Sequence, residues 1–359
     1  MLDNNYRYIK DKLADLDFDT KPILKQLVKS NTALAELKGI AAIIPNQSIL
    51  INTLIIREAK DSSAIENIVT THDHLYKAEV EVDKEKFKSL ATKEVQNYNA
   101  ALKKGFSLIQ KNTLLTNKTI LTIQETLERN DAGYRKVPGT NLRNEREEVI
   151  YTPPQNHSLI VELMNDLELF INADNSEIDP IVKMAIIHFQ FETIHPFYDG
   201  NGRTGRIINI LYLILQDLLK LPILYLSSYI IKHKSDYYRL IQEVRDKNNW
   251  EEWILFILKG VEETAKESVI LINSIWILMK EFKRKLRDEF KYKFYSQDLI
   301  NHLFKHPYTK IDFLMSDMNI SRPTASIYLN TLAKDKFLVK RKIGNTNYYI
   351  NDPLYKILT

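Results

Sequence analysis

Residues 195–206 read His195-Pro196-Phe197-Tyr198-Asp199-Gly200-Asn201-Gly202-Arg203-Thr204-Gly205-Arg206, a turn set between two apolar helical stretches near 178–193 and 203–218. A proline disfavours α conformation at the residue before it, so His195 is expected at the exit of the first helix. Gly200 and Gly202 let bare backbone N–H groups approach an anion, and the N-terminus of the next helix adds its own donors and dipole. Arg203 and Arg206, three apart, lie on one helix face and can grip separate phosphates with forked donors. Asp199 is a hard oxygen ligand for a Mg²⁺ that itself holds phosphate oxygens. His195 belongs to the residue type that accepts a proton near neutrality.

The same residues offer a second pattern. His188, Glu192 and His195 fall at i, i+4 and i+7, a spacing that suits a metal-binding helix face. Pro196 argues against it by drawing His195 off the helix, and the glycines and arginines would then have no purpose. His188 is read as a half-buried core histidine.

Working outward, apolar residues recur at spacings of three and four near 5–17, 21–42, 46–60, 63–76, 84–109, 115–128, 156–173, 178–193, 203–218, 234–247, 250–290 and 296–333, which predicts helices. Only 9 Gly and 11 Pro in 359 residues leave little material for a strand-and-turn architecture. Two places read as β. One is 135–154, where Val149-Ile150-Tyr151 is β-friendly; the other is the end, where Phe337-Leu338-Val339 and Tyr348-Tyr349-Ile350 flank a turn at Gly344-Asn345-Thr346-Asn347. From Ser296 the order is helix, helix, helix and basic hairpin, that of a winged helix-turn-helix. Ser321 is the expected N-cap and Pro323 sits in the first turn of the third helix. Arg322, Thr324 and Ser326 are placed to reach base edges and Lys340-Arg341-Lys342 to meet phosphates, while the same module also serves for docking proteins. Residues 294–359 hold nine Lys or Arg against five Asp or Glu, which accounts for the whole net charge of +4.

The absence of cysteine excludes disulfides, thiolate nucleophiles and cysteine-bound metals, and suits a reducing cytoplasm. The opening MLDNNYRYIKDK is charged and predicts no secretory leader, and the longest apolar run, Ile207 to Leu219, is interrupted by Asn209, Gln216 and Asp217, so no membrane span is expected.

At residues 195–206 the chain resembles the Fic family, whose signature H-x-F-x-[DE]-G-N-G-R-x-x-R it meets at every position. The resemblance implies transfer of AMP from ATP to hydroxyl side chains of proteins. His195 would deprotonate a Tyr, Thr or Ser of the target. Asp199 would hold Mg²⁺ or Mn²⁺, and the nucleotide would be bound along Gly200, Asn201, Gly202, Arg203, Thr204, Gly205 and Arg206. Within that set Asn201 and the glycine backbone would take the α-phosphate and the arginines the β and γ positions, while Phe197 would anchor the loop from inside. Keeping glycine at 202, where kinase-type relatives have lysine, implies nucleotidyl transfer. The 146–152 stretch looks like the family's flap, which holds a target backbone through Val149, Ile150 and Tyr151. Tyr238 would approach the adenine; for Tyr237 core packing is an equal reading.

A second signature, Ser62-Ser63-Ala64-Ile65-Glu66-Asn67, matches the family's inhibitory pattern [ST]-x-x-x-E-[GN]. Ser63 to Glu66 is also a plain capping box. In relatives this glutamate pairs with the second arginine, here Arg206, and keeps the γ-phosphate from docking; Ser62 belongs to the same inhibitory segment. The expected architecture is all-α: a Fic-type helical bundle with a small β-hairpin flap and a C-terminal winged helix-turn-helix. Its parts are a helical region 1–110 with an inhibitory helix about 62–76, a catalytic core 111–260, a connecting helix 261–293 and the winged module 294–359. Expected partners are ATP, a hydroxyl-bearing target that includes the chain itself, DNA or a protein at the winged module, and a second copy of the chain. The alternative functions are removal of AMP by the same site, and a DNA-binding regulator that senses ATP.

Overall fold

The computed structural model describes residues 9, 13, 16–80, 89–143, 146–174, 177–343 and 346–359. The helix expected over 5–17, the start of the one expected at 84, and Gly344-Asn345 fall wholly or partly outside them.

The organising element is α7 (Pro180–Ile194). Its sequence PIVKMAIIHFQFETI is apolar on every side, and it is buried along nearly its whole length. Asp179 caps it by accepting from the Ile181 N–H at 2.8 Å, and Pro180 fits the first turn. The buried Trp253 indole donates to the Ala185 carbonyl at 3.0 Å, so its one polar group is satisfied against this helix.

Around α7 lie α1 (Lys21–Ala41), α2 (Ser48–Ile65), α3 (His72–Val80), α4 (Leu90–Asn112), α5 (Asn117–Glu128), α6 (His157–Asn172), α8 (Asn201–Leu215), α9 (Ser227–Lys232), α10 (Lys234–Lys247) and α11 (Trp250–Arg284). The long α11 packs along α1 and against α7; α4 packs on α5, α2 and α8. Strands β1 (Leu142–Arg143) and β2 (Val149–Tyr151) form an antiparallel hairpin between α5 and α6. After a π-helical turn, Lys285–Glu289, come α12 (Gln297–Lys305), β3 (Tyr308–Thr309), α13 (Ile311–Met318), α14 (Arg322–Lys334), β4 (Val339–Ile343), β5 (Thr346–Ile350) and α15 (Asp352–Leu358). The three strands pair in the order β3-β5-β4, all antiparallel. The described residues thus form a helical bundle with a two-stranded hairpin and a C-terminal module of helices and a three-stranded sheet.

Several local expectations are corrected. The stretch 296–333 forms three helices in the expected order, and the short β3, which does not show in the pattern, lies between the first two. Thr346 and Asn347, expected in the turn, belong to β5, where they pair with Ile343 and Lys342. No helix spans 62–76. Helix α2 ends at Ile65, Glu66 is its C-cap, Asn67 is left-handed at φ 64°, and α3 begins only at His72. The capping-box reading of Ser63 to Glu66 fails for the same reason, since these residues close a helix rather than open one. Helix α11 passes position 260 without a break.

Candidate active site

The motif turn is built from two helix ends. Helix α7 stops because His195 takes a left-handed conformation, φ 47° and ψ 59°, ahead of Pro196. Helix α8 starts after Gly200, at φ 73°, where a Cβ would lie 2.3 Å from Glu128 Oε1. Between them Phe197 is fully buried. Asn201 closes the loop: its Oδ1 accepts from the Phe197 N–H and its Nδ2 donates to the Phe197 carbonyl, both at 2.8 Å.

The turn opens on a cavity of about 820 Å³, lined by His195, Asp199, Gly200, Asn201, Gly202 and Arg206, by Glu66 and Asn67, by Asn141, Leu142, Arg143 and Ile150 of the hairpin region, and by Glu192, Tyr237, Tyr238 and Arg245. His195 has its Nδ1 buried and without a hydrogen-bond partner. Burial, with the charges of Arg135 and Arg245 behind it, lowers its pKa to about 3, so the imidazole is neutral at pH 7. Asp199 is 76% exposed and accepts from the Gly200 N–H at 2.6 Å.

Glu66 reaches both arginines. Its Oε2 accepts from Arg203 Nε at 2.6 Å and its Oε1 from Arg206 Nη2 at 2.8 Å. Arg206 also donates to Ser62 Oγ at 2.7 Å and to the Ser62 carbonyl at 2.9 Å. Gly202 makes this approach possible, because a Cβ there would stand 2.7 Å from Glu66 Oε1. The helix end at Ile65 is what aims the carboxylate: the Glu66, Asn67 and Ile68 N–H groups all turn back onto Ser63 and Ala64.

Other expected site residues face elsewhere. Arg203 is 2% exposed and points away from the cavity to Glu94 at 2.9 Å and Glu128 at 3.0 Å, with Asp199 at 3.5 Å. Thr204 is fully buried, and Gly205 packs on Phe191, His188 and Glu192. The cause is helical geometry: positions 202 and 206 share the cavity face, while 203–205 turn through the bundle side. Arg203 and Arg206 both meet Glu66, but only Arg206 lines the cavity. Asn201 spends its side chain on the loop. In the hairpin, Val149 and Ile150 are exposed, but the Tyr151 hydroxyl donates to the Thr193 carbonyl at 2.9 Å and its ring lies 3.7 Å beneath the Arg245 guanidinium. Tyr238 borders the cavity; Tyr237 is buried, its hydroxyl 2.8 Å from His188 Nε2. His188 is wholly rather than half buried, which lowers its pKa to about 3. Among the described residues no group of His, Asp and Glu is placed to hold a metal ion by itself, so the 188–192–195 triad is not formed.

Sequence reading missed Arg135, Arg245, Glu94 and Glu128, which stand in no motif. Glu192 was weighed only as a metal ligand. Its signal was its place in an apolar helix, where burial, with Glu66 adding to it, raises its pKa to about 7.

With the geometry in hand, three family models match: Fic/DOC family N-terminal over residues 24–107, Fic/DOC family over 114–213, and the C-terminal domain of protein adenylyltransferase SoFic-like over 278–354. The chain belongs to the Fic/DOC family. Curated relatives of this Fic chain include protein adenylyltransferase Fic of Aedes aegypti, 30% identical over 176 residues, covering 48% of this chain and 33% of the relative. That of Drosophila melanogaster is 29% identical over 120 residues, 32% of this chain and 24% of the relative. The matches thus span about a quarter to a third of those relatives' length. Among solved structures, a Fic family protein from Desulfovibrio desulfuricans superposes with a TM-score of 0.58 at 21% identity, covering 92% of this chain and 96% of that one. Fic-1 from Caenorhabditis elegans gives 0.56 at 18% identity, covering 75% and 82%. These two likenesses concern the Fic fold. No helix among the described residues is long and apolar enough to cross a membrane.

Proposed function

We propose that this Fic chain is a protein adenylyltransferase, transferring AMP from ATP to a Tyr, Thr or Ser hydroxyl of a target protein, and that Glu66 holds it in check. One observation carries the reading: a carboxylate lies across Arg203 and Arg206 beside a bare glycine turn, where a phosphate chain is expected. The adenylyltransferase names of the matched C-terminal model and of the curated relatives support it.

In this reading the triphosphate displaces Glu66 and Arg206 takes the γ-phosphate. The backbone of Gly200 to Gly202 and the α8 N-terminus receive the α-phosphate. Neutral His195 accepts the proton of the target hydroxyl, whose oxygen bonds to the α-phosphorus as the bond to the bridging oxygen breaks and pyrophosphate leaves. Asp199 suits Mg²⁺ or Mn²⁺: it offers one exposed carboxylate at the phosphate turn, and such ions take one or two carboxylates with phosphate oxygens and water. When bound, the ion would neutralise phosphate charge. The hairpin would take the target backbone beside β2, with Val149 and Ile150 toward it and Tyr151 as the internal strut. Tyr238 is placed to meet the base. The domain division follows as a helical region carrying Glu66, a catalytic core, and the C-terminal module.

The DNA-regulator reading has less support, since Arg322 of α14 is paired with Asp312 at 2.7 Å and Lys340 donates to Asn330 at 2.8 Å. The test incubates full-length wild type, Glu66→Gly and His195→Ala with Mg²⁺ and ATP labelled at the α-phosphate. Label on Glu66→Gly should exceed wild type at least ~10-fold, the ratio for about 1.4 kcal/mol of lost competition. His195→Ala should show none; equal labelling of all three would sink the proposal.

A further inference from the structure

Beside His195 stands a buried cation that the reaction scheme does not use. Arg135, 1% exposed, lies in the segment between α5 and β1. Its Nε donates to the His195 carbonyl at 2.8 Å, and its Nη2 to the Pro154 carbonyl at 2.9 Å. Its backbone N–H donates to the Pro196 carbonyl at 2.8 Å, and its own carbonyl lies 2.8 Å from His157 Nδ1. One residue therefore ties the carbonyls on both sides of the His195–Pro196 bond to the strand exit of the hairpin and to the start of α6.

We infer that Arg135 is the positioning residue of this site: it holds His195 in its left-handed turn and joins the hairpin to it. The physical need is plain. A left-handed conformation is strained for a residue with a Cβ and persists only when its surroundings over-determine it. The end of α7 leaves its last carbonyls without helical donors, and a forked guanidinium supplies them in fixed geometry. The link through Pro154 means that the loop following β2 and the base move as one body, so a target strand seated on the hairpin meets His195 in register.

Charge enters as well. Arg135 is, after burial, the largest influence lowering the His195 pKa, with Arg245 of α10 next. The other charged side chains around this cavity are the acids Glu66, Glu192 and Asp199 and the bases Arg143 of β1, Arg206 of α8 and Lys234 of α10. Neutral imidazole is the base-competent form. Activity is therefore lost as pH falls through the His195 pKa, and taking away the Arg135 charge raises that pKa and moves the acid limb to higher pH.

The inference rests on His195 acting as base in the proposed reaction, and the experiment separates the two. In the Glu66→Gly chain, Arg135→Lys keeps the charge but loses the fork, and Arg135→Gln loses both. For both, kcat should fall about tenfold or more from misplacement of the base, with KM for ATP within about twofold. Only Arg135→Gln should shift the acid limb upward, and the His195 Hε1–Cε1 resonance, assigned with His195→Gln, should titrate at higher pH than in the parent chain in that variant alone. The resonance reports without any AMP transfer, so an inactive Glu66→Gly chain would count against the proposed function and leave this inference open to the spectrum. Thermal unfolding checks each fold, and Arg135→Lys alone decides by its kcat and KM if Arg135→Gln does not fold. Unchanged kcat, or kcat and ATP affinity falling together, overturns the inference, as does a His195 titration that is the same in both variants.

Discussion

Arg203 and Arg206 are chemically identical and three residues apart, yet their surroundings give them different work. Arg206 has Glu66 as its one ion-pair partner among the described residues, at the cavity wall, so losing Glu66 leaves it free to change partner. Arg203 keeps Glu94 and Glu128 whatever Glu66 does. Burial, together with Asp199, Glu94 and Glu66, raises the Glu128 pKa to about 7 although Arg203 opposes this. Removing the guanidinium would strand these acids together, so Arg203→Ala should cost about 3 kcal/mol in urea unfolding, the range for breaking a buried ion pair by taking one partner away. A loss below about 1 kcal/mol would mean that the acids are solvated. The motif made both arginines legible, but their separate roles depend on glutamates more than seventy residues away.

At the scale of elements, the crossing of α4, α5 and α8 is what brings those glutamates within reach. Gly105 on α4 permits it: a Cβ there would stand 2.7 Å from Leu211 Cδ1 of α8 and 2.9 Å from Ile123 Cδ1 of α5. Gly105→Ala should destabilise the chain by about 1–3 kcal/mol through overpacking, read as a lower midpoint in thermal or urea unfolding; an unchanged midpoint would show that the helices can part freely. Periodicity located α4, α5, α7 and α10 well, because each carries a long apolar face. It misplaced the segment after α2, where 63–76 continues an apolar rhythm while Asn67 turns left-handed, and it missed the two-residue β3. Ends of elements are set by single backbone conformations, which periodicity does not register.

The whole molecule is tied together at both ends of the Glu66 segment. Helix α2 packs on α12, and the Tyr308 hydroxyl of β3 donates to Asp73 Oδ1 of α3 at 2.6 Å, with the Tyr76 ring stacked between His72 and Tyr308. Tyr308→Phe should lower stability by about 1 kcal/mol while unfolding remains a single transition; a new early transition would mark the C-terminal module as an independent unit. The 195–206 turn, its helices and the family were determined by sequence alone, because a phosphate-binding turn needs particular residues at adjacent positions. The pairing of Glu66 with both arginines, the aversion of Arg203 to Gly205 from the cavity, the tethering of Tyr151 and the place of Arg135 beside His195 were decided only by tertiary structure. Each depends on the angle at which one helix end or loop meets another, and that angle is the outcome of packing across the whole bundle.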